Sequence, residues 1–380
     1  MVNILIDYTS AKVPPRGAIA SQHLFTARLL QGFSQSKQFH LILAVWRGME
    51  DYWDNLAGFH VDKIVVDEKD KVTFSAKLDR ILALIPFEKK LKTRDIHAVI
   101  TPVYVPYMFI YPRKYHQHLY IHDLFVFHYP QGKVSLWGKI YRRFMFMIAI
   151  IRIPHIITVS QNTRKDLLKF AHRDSDVVYN SIPFDFRLEE EPVIEVANKP
   201  YILDVNRFEK YKNAQLLIEA FSLLKEKIPH IIYFKGLNSI VQDFVWLQHL
   251  AKKLGVEDRV IFDESHRSEA EMRYLYTHAD LFVTPSLNEG FGFTPIEAAV
   301  LKTPVLMSDI PTLQEVTRGK IESFDPHNAE ELAQKMLRIL QNPPSMEERQ
   351  KLSDFYINEY SLKKLIDELT KVIMRHIDEG

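Results

Sequence analysis

Residues 281–307, LFVTPSLNEGFGFTPIEAAVLKTPVLM, restrict the fold more than any other stretch of the chain. A β-rich apolar run from Leu281 to Thr284 ends in the loop Glu289-Gly290-Phe291-Gly292. A helix start follows at Thr294-Pro295, then a second buried strand from Val305 to Met307. This is one βαβ unit with a charged residue at its ligand-binding edge. In open α/β sheets ligands sit beyond the carboxyl ends of the strands, where backbone N–H groups at a helix N-terminus meet an anion. Gly290 and Gly292 let the backbone come close to such a ligand.

The two glutamates have plainer readings too. Thr294-Pro295-Ile296-Glu297 fits a capping box with proline in the first turn, which would employ Glu297 at the helix end alone. Glu289, beside two glycines, closes no obvious cap; its plain reading is a solvated loop charge. Paired carboxylates also suggest a glycosidase, but eight positions across a loop and helix start do not define the pair that flanks a scissile bond.

At 380 residues the chain exceeds what one core usually serves, so two domains are expected. With 47% hydrophobic and 26% charged residues, both can bury proper cores. The absence of cysteine excludes disulfides, thiolate zinc sites and a cysteine nucleophile, and agrees with a reducing cytoplasm. The opening MVNILIDYTS reads as a first strand rather than a signal peptide, and no run reaches the length of a membrane span. Net charge is +1, yet residues 1–185 carry +9 and the remainder −8. The first half suits an anionic surface or acceptor. The second must supply local cations to hold a phosphate.

Strand-like runs recur at Val2 to Ile6, Leu41 to Val45, Lys63 to Val66, Ala98 to Thr101, Leu119 to His122, Ile156 to Ser160 and Val177 to Tyr179. Helical stretches such as Ser21 to Phe33 separate several of them, which implies a mostly parallel, doubly wound sheet. The acidic stretch 187–200 reads as an interdomain linker. A second series of strands runs through Tyr201 to Val205, Ile231 to Lys235, Val260 to Phe262, Leu281 to Thr284 and Val305 to Met307, and the chain is helical from about Ala329. The predicted architecture is α/β: two Rossmann-like domains, 1–186 and 201–360, facing each other across a cleft.

Three further stretches carry chemistry. Arg207 and Lys212 come after the first strand of the second domain, where a guanidinium fork and an ammonium can hold a diphosphate and stabilise it as it leaves. In isolation they would be a solvated charged loop. His122-Asp123 closes a strand of the first domain; a histidine there can hydrogen-bond a sugar, while the plain reading is a strand end with Asp123 opening a turn. Residues 133–154 mix basic and aromatic side chains with an apolar block from Phe144 to Ile151. A buried helix and a membrane-surface helix, with Arg142, Arg143 and Arg152 on part of its polar face, are both open for it.

EGFGFTPIEA resembles the signature of the retaining nucleotide-sugar glycosyltransferases of family 4, which have the GT-B fold. The resemblance implies that Glu289 faces the donor sugar and Glu297 the nucleotide ribose, with Gly290, Phe291, Gly292, Phe293 and Thr294 forming the donor loop between them. Arg207 and Lys212 resemble the family's G-R-x-x-x-x-K-N pair, with Asn206 where glycine is common. His122-Asp123-Leu124 looks like its His-Asp-Leu motif, which implies that His122 touches the donor sugar. ITVSQNTRKDLLKF, residues 157–170, is also similar, its serine and threonine reading as helix caps. Many relatives carry paired glycines after the first strand; here Arg16 and Gly17 stand nearest to that role, beside the acceptor. In the resembled fold the last helix, about 361–380, crosses back to the first domain.

The resemblance implies a hexosyltransferase without metal or other cofactor. Its donor would be a nucleotide-diphosphate sugar of mannose or rhamnose type. Its acceptor would be a glycan or lipid-linked molecule of surface polysaccharide biosynthesis, at the cytoplasmic face of a membrane, with no nucleic acid involved. The rivals are a sugar phosphorylase or nucleotide-sugar epimerase on the same architecture, and a non-catalytic subunit. No pyridoxal lysine announces itself for the first, and all four of Glu289, Glu297, Arg207 and Lys212 are present against the last.

Overall fold

The structure, a computed structural model, describes residues 2–8, 21–66, 91, 93–103, 115–128, 136–182, 189–236 and 241–379. The chain divides into two compact units, Met1–Pro183 with Leu362–Gly380, and Phe184–Ser361. Arg16 and Gly17 lie outside the described residues.

The first unit is built on β1 (Val2–Asp7), β2 (Phe39–Trp46), β3 (Asp62–Val66), β4 (Ala98–Thr101), β5 (Gln117–Ile121), β6 (His155–Thr158) and β7 (Asp176–Val177). All pairs are parallel, in the order β3-β2-β1-β4-β5-β6-β7. Sheets of this kind are covered on both faces, so their strands are apolar runs rather than alternating ones. ILI in β1 and LILAVW in β2 are of that kind, and both are buried. His122 falls one residue beyond β5, not inside it.

The second unit repeats the scheme with β8 (Tyr201–Val205), β9 (Ile231–Lys235), β10 (Val260–Asp263), β11 (Leu281–Thr284), β12 (Val305–Ser308) and β13 (Glu322–Phe324), ordered β10-β9-β8-β11-β12-β13 and again parallel. Sequence reasoning missed β13, because three residues with a single buried side chain, Phe324, show no pattern. In each sheet the strand order reverses once, between β1 and β4 and between β8 and β11. Crevices for ligands open at such reversals, beyond the carboxyl ends of the strands.

Residues 189–200 do not form the free linker that their charge suggests. Val193 and Val196 are buried in one cluster with Tyr201, Leu203 and Leu275 of the second unit. The acidic residues pair with that unit's surface: Glu195 meets Arg267 at 2.7 Å and Glu190 meets His278 at 2.9 Å. Charge made the segment read as solvated, whereas two valines and the guanidinium groups of Arg267 and Arg273 fasten it down.

The C-terminal helix Leu362–Glu379 buries Leu365, Ile366, Leu369 and Ile373 along one stripe and belongs to the first unit. It lies against the helix Ser21–Ser34 at Gly32, where an added Cβ would stand 2.3 Å from Ile366 Cγ1. The helix Leu136–Arg152 corrects the sequence reading in a different way. Phe146, Ala149 and Ile150 are buried, while Trp137, Ile140, Tyr141, Phe144 and Ile151 are exposed, so its apolar block is divided between core and surface. Among the described residues no helix is long and apolar enough to cross a membrane.

Candidate active site at the strand-order reversal of the second unit

The loops after β8 and β11 meet where the strand order reverses. From the first, Lys212 ends a short 3₁₀ turn, Lys210–Lys212, and donates through Nζ to Glu289 Oε1 of the second at 2.6 Å. Both side chains are largely buried, at 13% and 10% exposure. Backbone contacts fix the pairing. Leu287 N–H donates to the Tyr211 carbonyl at 2.8 Å, and the Thr312 hydroxyl donates to the Glu289 carbonyl at 2.9 Å. Asn213, at φ 57°, caps the 3₁₀ turn and donates its side-chain amide to the carbonyls of Pro285 and Pro326. Arg207 is 63% exposed, with Glu209 3.9 Å away, and is free to turn toward a ligand.

The helix after β11 starts earlier than the sequence suggests. It spans Phe293–Val300 with Gly292 as its N-cap, at φ 87°, and no side chain caps it. Thr294 is therefore inside the helix, and the Thr294/Glu297 capping box does not form. Gly292 is required twice over: its φ is left-handed, and a Cβ would fall 2.4 Å from Leu313 Cδ2. Without a capping side chain, the first N–H groups of this helix stay available to an anion. Phe291 is buried against Phe293 and the edge of Tyr360, so its ring serves packing and its backbone is what it offers the loop. Gly290 lies in the same turn, between Glu289 and Phe291.

Glu297 instead accepts a hydrogen bond from the Tyr276 hydroxyl at 2.7 Å. Burial pushes its carboxyl up to about 7, with the Tyr276 bond pulling the other way. A second acid, missed in the sequence, sits at the end of β8. Asp204 is 1% exposed and accepts from Asn206 Nδ2 at 2.5 Å. Burial raises it to about 7 as well; the Asn206 bond and the Lys212 charge oppose the rise, and Glu289 adds to it. An acid at the carboxyl end of a strand preceding the Arg207 loop was the available signal, overlooked because Asp204 sits within an apolar run. The same contact explains Asn206 in place of glycine: its side chain satisfies a buried carboxyl.

His122 and Asp123 belong to the first unit and lie just beyond β5, one strand along from that unit's strand-order reversal. Nε2 of His122 donates to the Pro102 carbonyl at 2.9 Å, just beyond β4, and burial depresses its pKa, leaving a neutral ring whose Nδ1 can accept. Asp123 Oδ1 accepts from Phe125 N–H at 3.1 Å, the turn-opening role that any strand end could show.

Known proteins share this fold. Two parallel-sheet units of this build are the fold of GT-B glycosyltransferase structures. Sucrose-phosphate synthase from Thermosynechococcus elongatus superposes with a TM-score of 0.72 at 15% identity over all of both chains. HepE of Anabaena, solved with UDP and glucose, gives 0.69 at 13% identity over 99% of this chain and all of that one. Residues 186–356 match the family model described as glycosyl transferases group 1. An O-antigen chain mannosyltransferase of Salmonella typhimurium is 31% identical over 210 residues, 54% of this chain and 56% of that one. The human alpha-1,3/1,6-mannosyltransferase ALG2 is 25% identical over 222 residues, 53% of this chain and 52% of that one. The chain thus spans about half the length of these curated relatives.

The two raised carboxyls tie stability to pH. Between about pH 4 and 7 the folded protein retains protons that the unfolded chain has released, so their contribution is complete below about 4 and is lost as pH rises through 7. Asp204→Asn should therefore flatten the decline of the urea midpoint over this window, matching wild type near pH 4 and exceeding it near pH 8. An equal offset at both ends would show that the Asp204 proton is not the cause.

Proposed function

We propose that the chain is a retaining glycosyltransferase. It moves a hexose of mannose or rhamnose type from a nucleotide-diphosphate sugar to a glycan or lipid-linked acceptor of surface polysaccharide biosynthesis. The Lys212–Glu289 pair carries this reading, because it sets a cation and a carboxylate side by side at a strand-order reversal, beside an exposed Arg207 and an uncapped helix N-terminus. The Salmonella and human relatives are mannosyltransferases, which supports the donor class.

In this mechanism the diphosphate lies on Arg207, Lys212 and the first N–H groups of Phe293–Val300, which stabilise the charge that builds as it leaves. The acceptor hydroxyl attacks the face from which the diphosphate departs. Glu289, held by Lys212, faces the sugar, and Glu297 accepts from the ribose hydroxyls. His122, neutral and fixed through Nε2, offers Nδ1 to a sugar hydroxyl. Arg16 and Gly17 are assigned to the acceptor side. Charge neutralisation comes from the two basic side chains, and no cofactor is assigned to the transfer step. Catalysis is then mostly positioning and preorganised electrostatics.

The exposed side chains Trp137, Ile140, Tyr141 and Phe144 recur at helical spacing, with Arg143 and Arg152 on the same surface helix. With the basic first half, they suit the anionic inner face of a membrane, where a lipid-linked acceptor would be met. Trp137→Ser with Phe144→Ser should lower co-sedimentation with anionic vesicles by about tenfold or more. Wild-type protein that stays in the supernatant with anionic and neutral vesicles alike would exclude the contact.

Arg207→Ala and Lys212→Ala should each reduce turnover by roughly 10² to 10³. They should differ in stability. Arg207→Ala is neutral, whereas Lys212→Ala leaves Glu289 buried without its partner and costs about 3 kcal/mol. Full turnover in both folded variants would remove the phosphate site. Glu297→Gln should weaken nucleotide-sugar binding at least several-fold in calorimetry, because an amide has one acceptor oxygen where a carboxylate has two. The ligand-free Tm should not fall, since no cap is lost. Equal donor affinity in the two proteins would end the ribose assignment.

A further inference from the structure

The first unit gathers three histidines that the transfer chemistry does not use. His118 comes from β5, His155 opens β6, and His376 comes from the C-terminal helix, 258 positions from His118. One ring nitrogen from each lies within 4.8 Å of the others. His118 Nε2 and His376 Nδ1 are 3.0 Å apart, close to the roughly 3.3 Å between two nitrogens on a tetrahedral zinc ion with bonds of about 2.0–2.1 Å.

The surroundings favour a cation held by neutral imidazoles. His376 Nε2 lies 3.2 Å from Asp176 Oδ2, the carboxylate contact that commonly backs a metal-bound histidine and directs its other nitrogen at the ion. Arg375 reaches the same Nε2 at 3.1 Å, but its guanidinium is engaged by Asp176 Oδ1 at 2.6 Å. A cavity of about 400 Å³, lined in part by His155, Asp176 and His376, gives access from solvent and room for another ligand. His155 stacks on His376 at 3.8 Å between centroids and on His116 at 5.9 Å, and it must turn out of that stack for its nitrogen to converge.

We propose that His118, His155 and His376 bind one divalent transition-metal ion of the zinc class, with water as fourth ligand, and that the ion fastens the C-terminal helix to β5 and β6. Imidazole donors select such ions over magnesium or calcium. The proposal rests on the first unit alone and is independent of the reading of the second.

The test uses untagged full-length chain, stripped with a chelator and titrated with Zn²⁺ against a chromophoric competitor, with Co²⁺ absorption reporting the ligand geometry. One equivalent should bind, Co²⁺ should show tetrahedral d–d bands, and saturation should raise Tm by about 3 °C or more. Asp176→Asn should weaken uptake by about 10- to 100-fold. His155→Asn, at the half-exposed wall of the cavity, should abolish the tight site without unfolding the protein, whereas His60→Ala, far out in solvent, should leave it intact. No tight uptake by wild type, or equal uptake by His155→Asn, would overturn the proposal.

Discussion

The candidate site depends on one contact, the meeting of the loops after β8 and β11. Neither loop has a core of its own. The 2.6 Å Lys212–Glu289 pair, the Leu287 N–H bond to the Tyr211 carbonyl and the Asn213 amide bond to the Pro285 carbonyl hold them in register. A buried ion pair of this kind returns little net stability, because desolvation consumes much of the Coulombic gain. What it fixes is position: a cation and a carboxylate held side by side, with the second helix entering just beyond them.

The second unit carries the acidic half of the sequence, and part of that acidity is tied up by neighbouring cations, as with Glu195 on Arg267 and Glu190 on Arg273. At the site two further acids, Asp204 and Glu297, are pushed up to about 7 by burial. The site therefore carries less negative charge at neutral pH than its residues suggest. Arg207 and the uncapped helix end are left to define an anion-binding edge.

The first unit is closed by the last segment of the chain. The stripe Leu365, Ile366, Leu369 and Ile373 packs where Gly32 leaves room for it, and His376 then lands beside His118 and His155. The N-terminal and C-terminal ends of the sequence thus share one unit. A helix that completes a unit from so far along the chain carries a large loop-closure cost, which apolar burial and polar contacts at its end offset.

By itself the sequence determined the alternation of buried strands and helices, hence two parallel sheets, and it placed Arg207, Lys212, Glu289 and Glu297 in or beside strand-to-helix loops. These are short-range properties: periodicity, glycine and charge within a few residues report them directly. Tertiary structure decided what each side chain does there. It moved the helix start back to Gly292 and turned Glu297 from a cap to a partner of Tyr276, 21 positions away. It made a packed element of 189–200 through Val193 and Val196, and buried Asp204 within reach of the Lys212 charge. It also brought together three histidines whose spacing carries no ligand pattern. Each of these outcomes rests on burial and on partners far along the chain, which local sequence does not record.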